Sequence, residues 1–213
     1  MAQEKSFLEK LSIIAQIIIS ICAVYLSYKI GDNQNQISKL NYSPVFIFQK
    51  SLEYDDNLHI YHTERLSITN EGYPIQNFDK NIKTYILVKK TTHQTSNEIL
   101  VPVSYYWVSY TANGGKGKLS ELYGKNNNSH AFNLSQQVVE LNNKNKDEIV
   151  SVDIITTATL KYTEADESIK ELYYINERLA TKDEITALEK KKINRLPLNI
   201  ENLKLETLLN LMQ

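Results

Sequence analysis

The sequence predicts a mainly β protein: an antiparallel β-sandwich of immunoglobulin-like architecture with an N-terminal transmembrane helix and two C-terminal helices. Three observations lead to this fold class. A long apolar run stands near the N-terminus, segments of alternating apolar residues follow between turn signals, and helical periodicity returns only after residue 177. The cysteine and tryptophan pattern of true immunoglobulin domains is absent, so the prediction concerns architecture alone.

The apolar run covers residues 11–28 and contains no Asp, Glu, Lys, Arg or His. A helix of this length rises about 27 Å, close to the thickness of a hydrocarbon core. We therefore predict a transmembrane helix over residues 11–30, after an N-terminal tail (1–10) and before a stalk or linker (31–43). A cleaved signal peptide and a buried helix are the alternatives, but the tail carries charges of both signs and no small-residue cleavage site follows the run.

Charges beside the run predict its orientation. Lys5, Lys10 and the amino terminus precede it, and Lys29 and Lys39 follow it. Positive groups stay preferentially on the cytoplasmic side, so the one extra group favours an internal tail and a soluble domain outside the cytoplasm. The chain is expected to be a single-pass membrane protein whose apolar run is a signal anchor.

The predicted transmembrane helix carries a stripe of small and polar residues. Spacings of three and four place them on one face, and they are Ser12, Gln16, Ser20, Ala23 and Ser27. Membrane helices contact one another through such residues, so the stripe predicts a homo-oligomer or pairing with another subunit's helix. Alternatively, each serine bonds the carbonyl four residues earlier in its own helix, which leaves only Gln16 to explain.

Residues 44–177 are predicted to form the β-sandwich domain. Its clearest strand is 149–162, where apolar residues keep one parity, and 169–175 is the expected hairpin partner. The residues Asn-Glu-Gly-Tyr-Pro at 70–74 are a turn signal. A weaker strand is predicted at 132–138.

The segment 178–213 is predicted to contain two helices. Residues 181–184, Thr-Lys-Asp-Glu, have the form of a capping box, and Asn199 can cap a second, leucine-rich helix. Leu205 and Leu209 extend the apolar stripe of that second helix and are a candidate contact for a protein partner. Packing on the β domain or at the membrane interface are the alternatives.

Aromatic residues cluster at positions 105–110. Strand alternation places Tyr105 and Trp107 on one face and Tyr106 and Tyr110 on the other. One pair is expected in the core, and the other, exposed pair is a candidate partner surface, which we assign to Tyr106 and Tyr110. Cover by a loop or by the C-terminal helices is the alternative.

Composition and motifs limit the functional classes. A net charge of −1 and a pI near 6.4 argue against nucleic-acid binding. The one cysteine, Cys22, lies in the apolar run, so neither a disulfide framework nor a cysteine metal site is expected. His59 and His62 point to opposite faces of a predicted strand, and the chain lacks the G-x-S-x-G motif. We predict no enzyme, no cofactor and no metal.

The predicted function is a membrane-anchored, non-catalytic binding or scaffolding protein that acts in an oligomer. The expected partners are the lipid bilayer, further copies of the chain through the transmembrane helix, and a protein at the C-terminal helix. The alternative is a membrane effector of the defence or stress type, in which a β-sandwich sensor domain controls transmembrane-helix assembly or permeabilisation. In architecture alone, the chain is similar to bacterial membrane-anchored effectors of stress or phage-defence systems.

Overall fold

The chain divides into two compact units, one that ends at Ser43 and one that starts at Pro44. A computed structural model describes residues 2–57, 59–145, 147–193 and 196–212, and of residues 2–11, 36 and 39–41 it describes the backbone alone. The first unit is helical and the second is mainly β.

The first unit is a single helix, α1 (Ala2–Asn41). Within it, Ser12–Asn35 is long and apolar enough to cross a membrane, and none of its apolar window is buried in the chain. The helix extends through most of the segments predicted as a tail (1–10) and as a stalk or linker (31–43). A lone glycine such as Gly31 costs a helix only about 1 kcal/mol, which is too little to end it.

Nine strands and three helices make up the described part of the second unit. The strands are β1 (Phe46–Asp55), β2 (Ile60–Thr92), β3 (Ser96–Ser104), β4 (Trp107–Thr111), β5 (Gly115–Tyr123), β6 (Glu148–Thr163), β7 (Ile169–Ile175), β8 (Arg178–Ala180) and β9 (Leu198–Asn199). The helices are α2 (Asn127–Lys144), α3 (Lys182–Glu189) and α4 (Leu205–Asn210), and a 3-10 turn covers Ile200–Asn202. The strands pair in antiparallel fashion, except that β3 and β9 are parallel. The predicted mainly β, antiparallel fold with an apolar N-terminal helix is confirmed.

Strand β2 is 33 residues long and organises the sheet. Its first part pairs with β1 and β5, and β4 extends this group, which we call the first half-sheet (β1-β2-β5-β4). Its second part pairs with β3 and β6 in the second half-sheet (β9-β3-β2-β6-β7-β8). The immunoglobulin-like sandwich is not confirmed, because one strand continues through both half-sheets and they are parts of one sheet.

Strand β2 bulges between its two parts. Its register against β5 passes from the pair Asn70 and Gly117 directly to the pair Ile75 and Gly115. The intervening residues are a bulge in a continuing strand, so the turn predicted at 70–74 is wrong. A bulge, like a turn, leaves backbone groups unpaired and so accepts the same glycine and proline residues.

The buried amide of Asn70 holds this bulge. Its Oδ1 accepts hydrogen bonds from the N–H groups of Val45 at 3.1 Å and Gly72 at 3.0 Å. Its Nδ2 donates to the carbonyl oxygens of Tyr73 at 2.7 Å and Gly115 at 3.0 Å. Asn70 is fully buried. A single side chain therefore satisfies backbone groups before β1, within the bulge and at the start of β5.

Two clusters of buried apolar residues lie along one face of the second half-sheet. On β6, members of both clusters keep even positions from Val150 to Tyr162 and therefore share a face. The first half-sheet covers one end of this face, where the rings of Phe48 and Tyr174 are 4.6 Å apart. Helix α2 and the C-terminal residues cover the other end.

Helix α2 occupies the place of the weaker strand predicted at 132–138, so that prediction is wrong. Leu134, Val138 and Leu141 are spaced four and three apart, and all three pack in the core. This spacing is the period of a helix face, whereas the prediction considered alternate residues only.

The two predicted C-terminal helices are present as α3 and α4. Thr181 caps α3: its hydroxyl accepts from the N–H of Glu184 at 3.2 Å, and the Glu184 carboxylate accepts from the N–H of Thr181 at 2.7 Å. The predicted capping box is confirmed. The side chain of Asn199 accepts from the N–H of Glu201 at 3.1 Å and so caps the 3-10 turn that precedes α4.

Helix α3 is fixed to the opposite face of the second half-sheet. Tyr85 is fully buried and donates to Oε1 of Glu189 at 3.0 Å, and Nζ of Lys83 donates to the same oxygen at 2.7 Å. The hydrogen bond from Lys83, ahead of the one from Tyr85, lowers the pKa of Glu189. Glu189 therefore stays ionised at neutral pH and holds the end of α3 on β2.

Replacement of Asn70 by alanine is expected to destabilise the β domain by about 2–4 kcal/mol, because four backbone groups lose the buried amide that bonds them. Unfolding of the full chain by urea in detergent micelles, followed by the fluorescence of the single tryptophan, measures the change. Asn81 is exposed on the same strand, and Asn81→Ala is expected to stay within about 0.5 kcal/mol of the wild type. Equal stability of the two variants would contradict this role of Asn70.

Candidate functional site

The first half-sheet has one buried face and one exposed face. Residues that pair directly across antiparallel strands share a face, and one such row is Ser51, Arg65, Tyr123 and Trp107. The neighbouring row is Gln49, Ser67, Glu121 and Tyr110. The alternate positions of β2, Leu66 and Ile68, are buried, so these two rows form the outer face.

Three large aromatic residues are exposed on this outer face. Trp107 is 46% exposed, Tyr110 47% and Tyr123 40%. Together with Arg65 they form a continuous patch across β2, β5 and β4, which we call the aromatic face. Tryptophan, tyrosine and arginine are the residues most enriched where proteins bind each other tightly.

Neighbouring charges hold Arg65 in place. Its guanidinium carbon lies 5.7 Å from the centre of the Tyr123 ring, within the range of a cation–π contact. Arg65 also pairs with Glu53 and, at 4.0 Å, with Glu121. Exposed ion pairs add little to stability, so their main effect here is to fix the position of the guanidinium.

Lys118 completes this charge network. Its Nζ lies 2.8 Å from Oε2 of Glu121. This hydrogen bond, with the charges of Lys118 and Arg65, lowers the pKa of Glu121. The carboxylate is therefore ionised at neutral pH and attracts the Arg65 guanidinium. A side chain held by such contacts loses less conformational entropy when a partner binds.

The predicted distribution of the aromatic residues is partly wrong. Tyr105 is in the core at 3% exposure, and Tyr106 is half-buried beside it, with ring centres 4.7 Å apart. Trp107 and Tyr110, predicted on opposite faces, share the aromatic face. Regular alternation fails twice, because the chain leaves the strand at Tyr105 and Tyr106 and a bulge follows between Val108 and Tyr110.

Of the two residues predicted as a partner surface on this segment, Tyr110 lies on the aromatic face and Tyr106 does not. The hydroxyl of Tyr106 donates to Oε1 of Glu64. Burial, ahead of the negative charge of Glu64, raises the pKa of Tyr106 well above its ordinary value. The hydroxyl stays protonated and serves as a structural donor.

A buried asparagine determines where this aromatic segment leaves β3. Asn127 is fully buried; its Nδ2 donates to the carbonyl of Tyr105 at 3.2 Å, and its Oδ1 accepts from the N–H of Glu64 at 2.7 Å. A Cβ atom at Gly124 would lie 2.1 Å from the Tyr105 carbonyl oxygen, so only glycine fits there. These contacts fix the backbone at Tyr105 and thereby the place where β4 begins, at Trp107.

The C-terminal helix packs on the chain's own β domain. Leu205 is 5% exposed, and Leu209 is partly buried against the same cluster. Leu205 is therefore part of the core, whereas Leu209 is only partly buried, and both line a groove between α2 and α4. Packing on the β domain is one of the alternatives left open by the sequence, and a protein partner at this helix stays a prediction.

The polar stripe of α1 lies on the exposed surface of the helix. Its members are exposed, and they are Ser12, Gln16, Ser20, Ala23 and Ser27. The hydroxyl of Ser20 donates to the carbonyl of Gln16 at 2.8 Å. This is the bond within the helix that was considered as the alternative explanation of the serines. Pairing of this stripe with another helix stays a prediction.

A groove of about 880 Å³ lies between α2, α4 and the ends of β2 and β3. Its apolar residues include Leu141 and Met212. Lys90 and Glu148 pair across its rim at 2.9 Å, so the rim carries both signs of charge and favours neither. Within the described residues, no group of three or more His, Cys, Asp or Glu side chains is placed to hold a metal ion.

Comparisons of the chain with models of known protein families, with curated proteins and with solved structures gave no match. The site therefore has to be interpreted from its own geometry.

Exposure of the aromatic face implies that folding does not depend on it. Tyr110→Ala is expected to change the free energy of unfolding by at most about 0.5 kcal/mol. Tyr105→Ala, five residues earlier and in the core, is expected to cost about 3–5 kcal/mol. Urea unfolding monitored by Trp107 fluorescence compares the two variants, and a large loss of stability in Tyr110→Ala would show that this residue serves the fold.

Proposed function

We propose that the chain is a single-pass membrane protein whose β domain is a non-catalytic binding or scaffolding module, acting in an oligomer. The aromatic face is the surface that binds another protein. The observation that carries this proposal is the exposure of Trp107, Tyr110 and Tyr123 beside an ion-paired Arg65 on one sheet face.

The chemistry of the aromatic face supports a protein partner. Aromatic rings supply a large contact area with few rotatable bonds, and their burial stabilises a complex in proportion to the apolar area removed from water. The surrounding Glu53, Glu121 and Lys118 provide a polar rim, which is the usual anatomy of a protein interface. A dedicated catalytic role has no comparable support, and the absence of enzymatic activity stays a prediction.

The length and apolarity of Ser12–Asn35 support anchoring in a lipid bilayer. We propose that the β domain lies outside the cytoplasm, on the basis of the extra positive group before the apolar run. Protease added to intact cells, after any outer membrane is permeabilised, should then remove a C-terminal tag. Protection of the tag until the cells are lysed would place the domain in the cytoplasm.

A second candidate function is a membrane effector in which the β domain controls assembly of the transmembrane helices. It is favoured by one observation, the exposed Gln16 within the polar stripe of α1. Gln16→Leu separates the two candidates: an effector loses permeabilisation of the membrane, whereas a scaffold keeps its surface partners.

Site-specific photo-crosslinking tests the aromatic face in cells. A photoreactive phenylalanine analogue at Tyr110 is expected to form a discrete adduct with one partner protein. The same analogue at Ile169, which is 67% exposed on β7, is the control and should form none. Arg65→Ala should weaken the Tyr110 adduct about tenfold, the typical effect of losing a central binding residue.

Arg65→Lys separates charge from shape in this assay. Lysine keeps the positive charge but loses the planar group that lies over Tyr123 and pairs with Glu53. We expect it to weaken the adduct nearly as much as alanine does. Equal adducts from Tyr110 and Ile169, or an adduct unaffected by both Arg65 variants, would contradict the proposed surface.

A further inference from the structure

Strand β4 is an open edge of the sheet. Among the strands that the structure describes, it pairs with β5 alone, and all five of its residues are exposed. The aromatic face reaches this edge, because Trp107 and Tyr110 belong to β4 itself.

Backbone groups of β4 point away from the sheet at Thr111. The carbonyl of Tyr110 accepts from the hydroxyl of Ser120 at 2.9 Å, and the N–H of Ala112 donates to the carbonyl of Leu119 at 2.8 Å. Both neighbours of Thr111 therefore direct backbone groups toward β5. Since these directions alternate along a strand, the N–H and C=O of Thr111 face the open edge.

The other edges of the sheet are better protected. Strand β1 follows Pro44 and carries Lys50, a charged residue that pairs with Glu177 at 3.0 Å. Strand β8 has three residues and β9 has two. Proline, charge and shortness are the usual means of blocking strand addition, and β4, with the sequence Trp-Val-Ser-Tyr-Thr, has neither proline nor charge.

We propose that β4 receives an extended segment of another protein, which adds to the first half-sheet as a further strand. This inference rests on the proposed binding function and names the form of the partner. An extended backbone satisfies the open N–H and C=O groups, while alternate side chains of the segment pack on Trp107 and Tyr110.

The bulge in β4 favours a flexible segment over a second copy of the chain. Register against β5 shifts between Val108 and Tyr110, and the hydroxyl of Ser109 donates to the Glu121 carbonyl at 3.0 Å. Two copies of β4 paired about a two-fold axis would carry one bulge in each strand, so their short shared ladder would be interrupted twice. An extended peptide follows the bend of a single bulged strand. Its apolar residues should recur at every second position.

The test uses the full chain in lipid nanodiscs and a phage library of random peptides of about twelve residues, longer than a typical strand. Selected peptides are synthesised, and their affinities are compared for the wild type, Thr111→Pro and Thr111→Val. Proline is tolerated on an edge strand but removes the open N–H group. Valine keeps that N–H, and both variants lose the hydroxyl contact with Lys80.

Strand addition predicts that Thr111→Pro weakens peptide binding about tenfold or more, whereas Thr111→Val changes it less than about twofold. Each peptide is also made in two methylated forms, one with the odd and one with the even backbone nitrogens methylated. Only the form that blocks the N–H groups facing β4 should lose binding. Selection of no peptide, or equal binding to both Thr111 variants, overturns strand addition.

Two further measurements separate the outcomes. If Trp107→Ala weakens binding but Thr111→Pro does not, the aromatic face binds its partner without strand addition, and the proposed function stands. If neither variant weakens binding, both proposals fail. Ser109→Cys in a Cys22→Ser background should give no disulfide-linked dimer under oxidation, and efficient dimer formation would assign the edge to a second copy of the chain.

Discussion

The amide of Asn70 is the interaction on which the β domain depends. Strand β2 can serve two half-sheets only if it changes partners partway along, and the change requires a bulge with backbone groups that find no partner in either ladder. Asn70 supplies those partners from the strand itself. It also binds the residue ahead of β1 and the start of β5, so the same amide aligns both neighbours of β2. Burial makes the arrangement demanding, since an unsatisfied polar group inside a protein is costly.

Asn127 has the corresponding role at the other end of the first half-sheet. Its amide connects Glu64 of β2 with the carbonyl of Tyr105, and the close approach of Gly124 leaves no room for a side chain. The two asparagines thus set the ends of the segment on which the aromatic face is built. Buried amides are specific in a way that apolar packing is not, because each donor and acceptor must meet a partner of the opposite kind.

Much of the fold could be predicted because it follows from periodic patterns. The strand 149–162 and its hairpin partner, the apolar helix and the Thr181 capping box each depend on neighbours in sequence. The bulge at Asn70 and the bulge after Val108 depend on residues far away in the chain, and a bulge leaves no regular mark in a sequence.

Half of the predicted aromatic surface was misplaced for this reason: Tyr110 is on the exposed face, but Tyr106 is not. Arg65 and Tyr123 were missed because only the strand register brings them beside Trp107. The helical period of Leu134, Val138 and Leu141 was present in the sequence and would have identified α2.

The position of β1 and β4 on opposite margins of the first half-sheet has a mechanical consequence. Helix α1, which is proposed to span the membrane, precedes β1 in the chain, and the partner is proposed to join through β4. Tension between membrane and partner would then cross three antiparallel ladders in series, β1 to β2, β2 to β5 and β5 to β4. Each ladder shares the load among several hydrogen bonds, and the weakest is the short, bulged one between β5 and β4. Under force, β4 would separate from β5 together with the partner's strand before the two ladders of β2 opened.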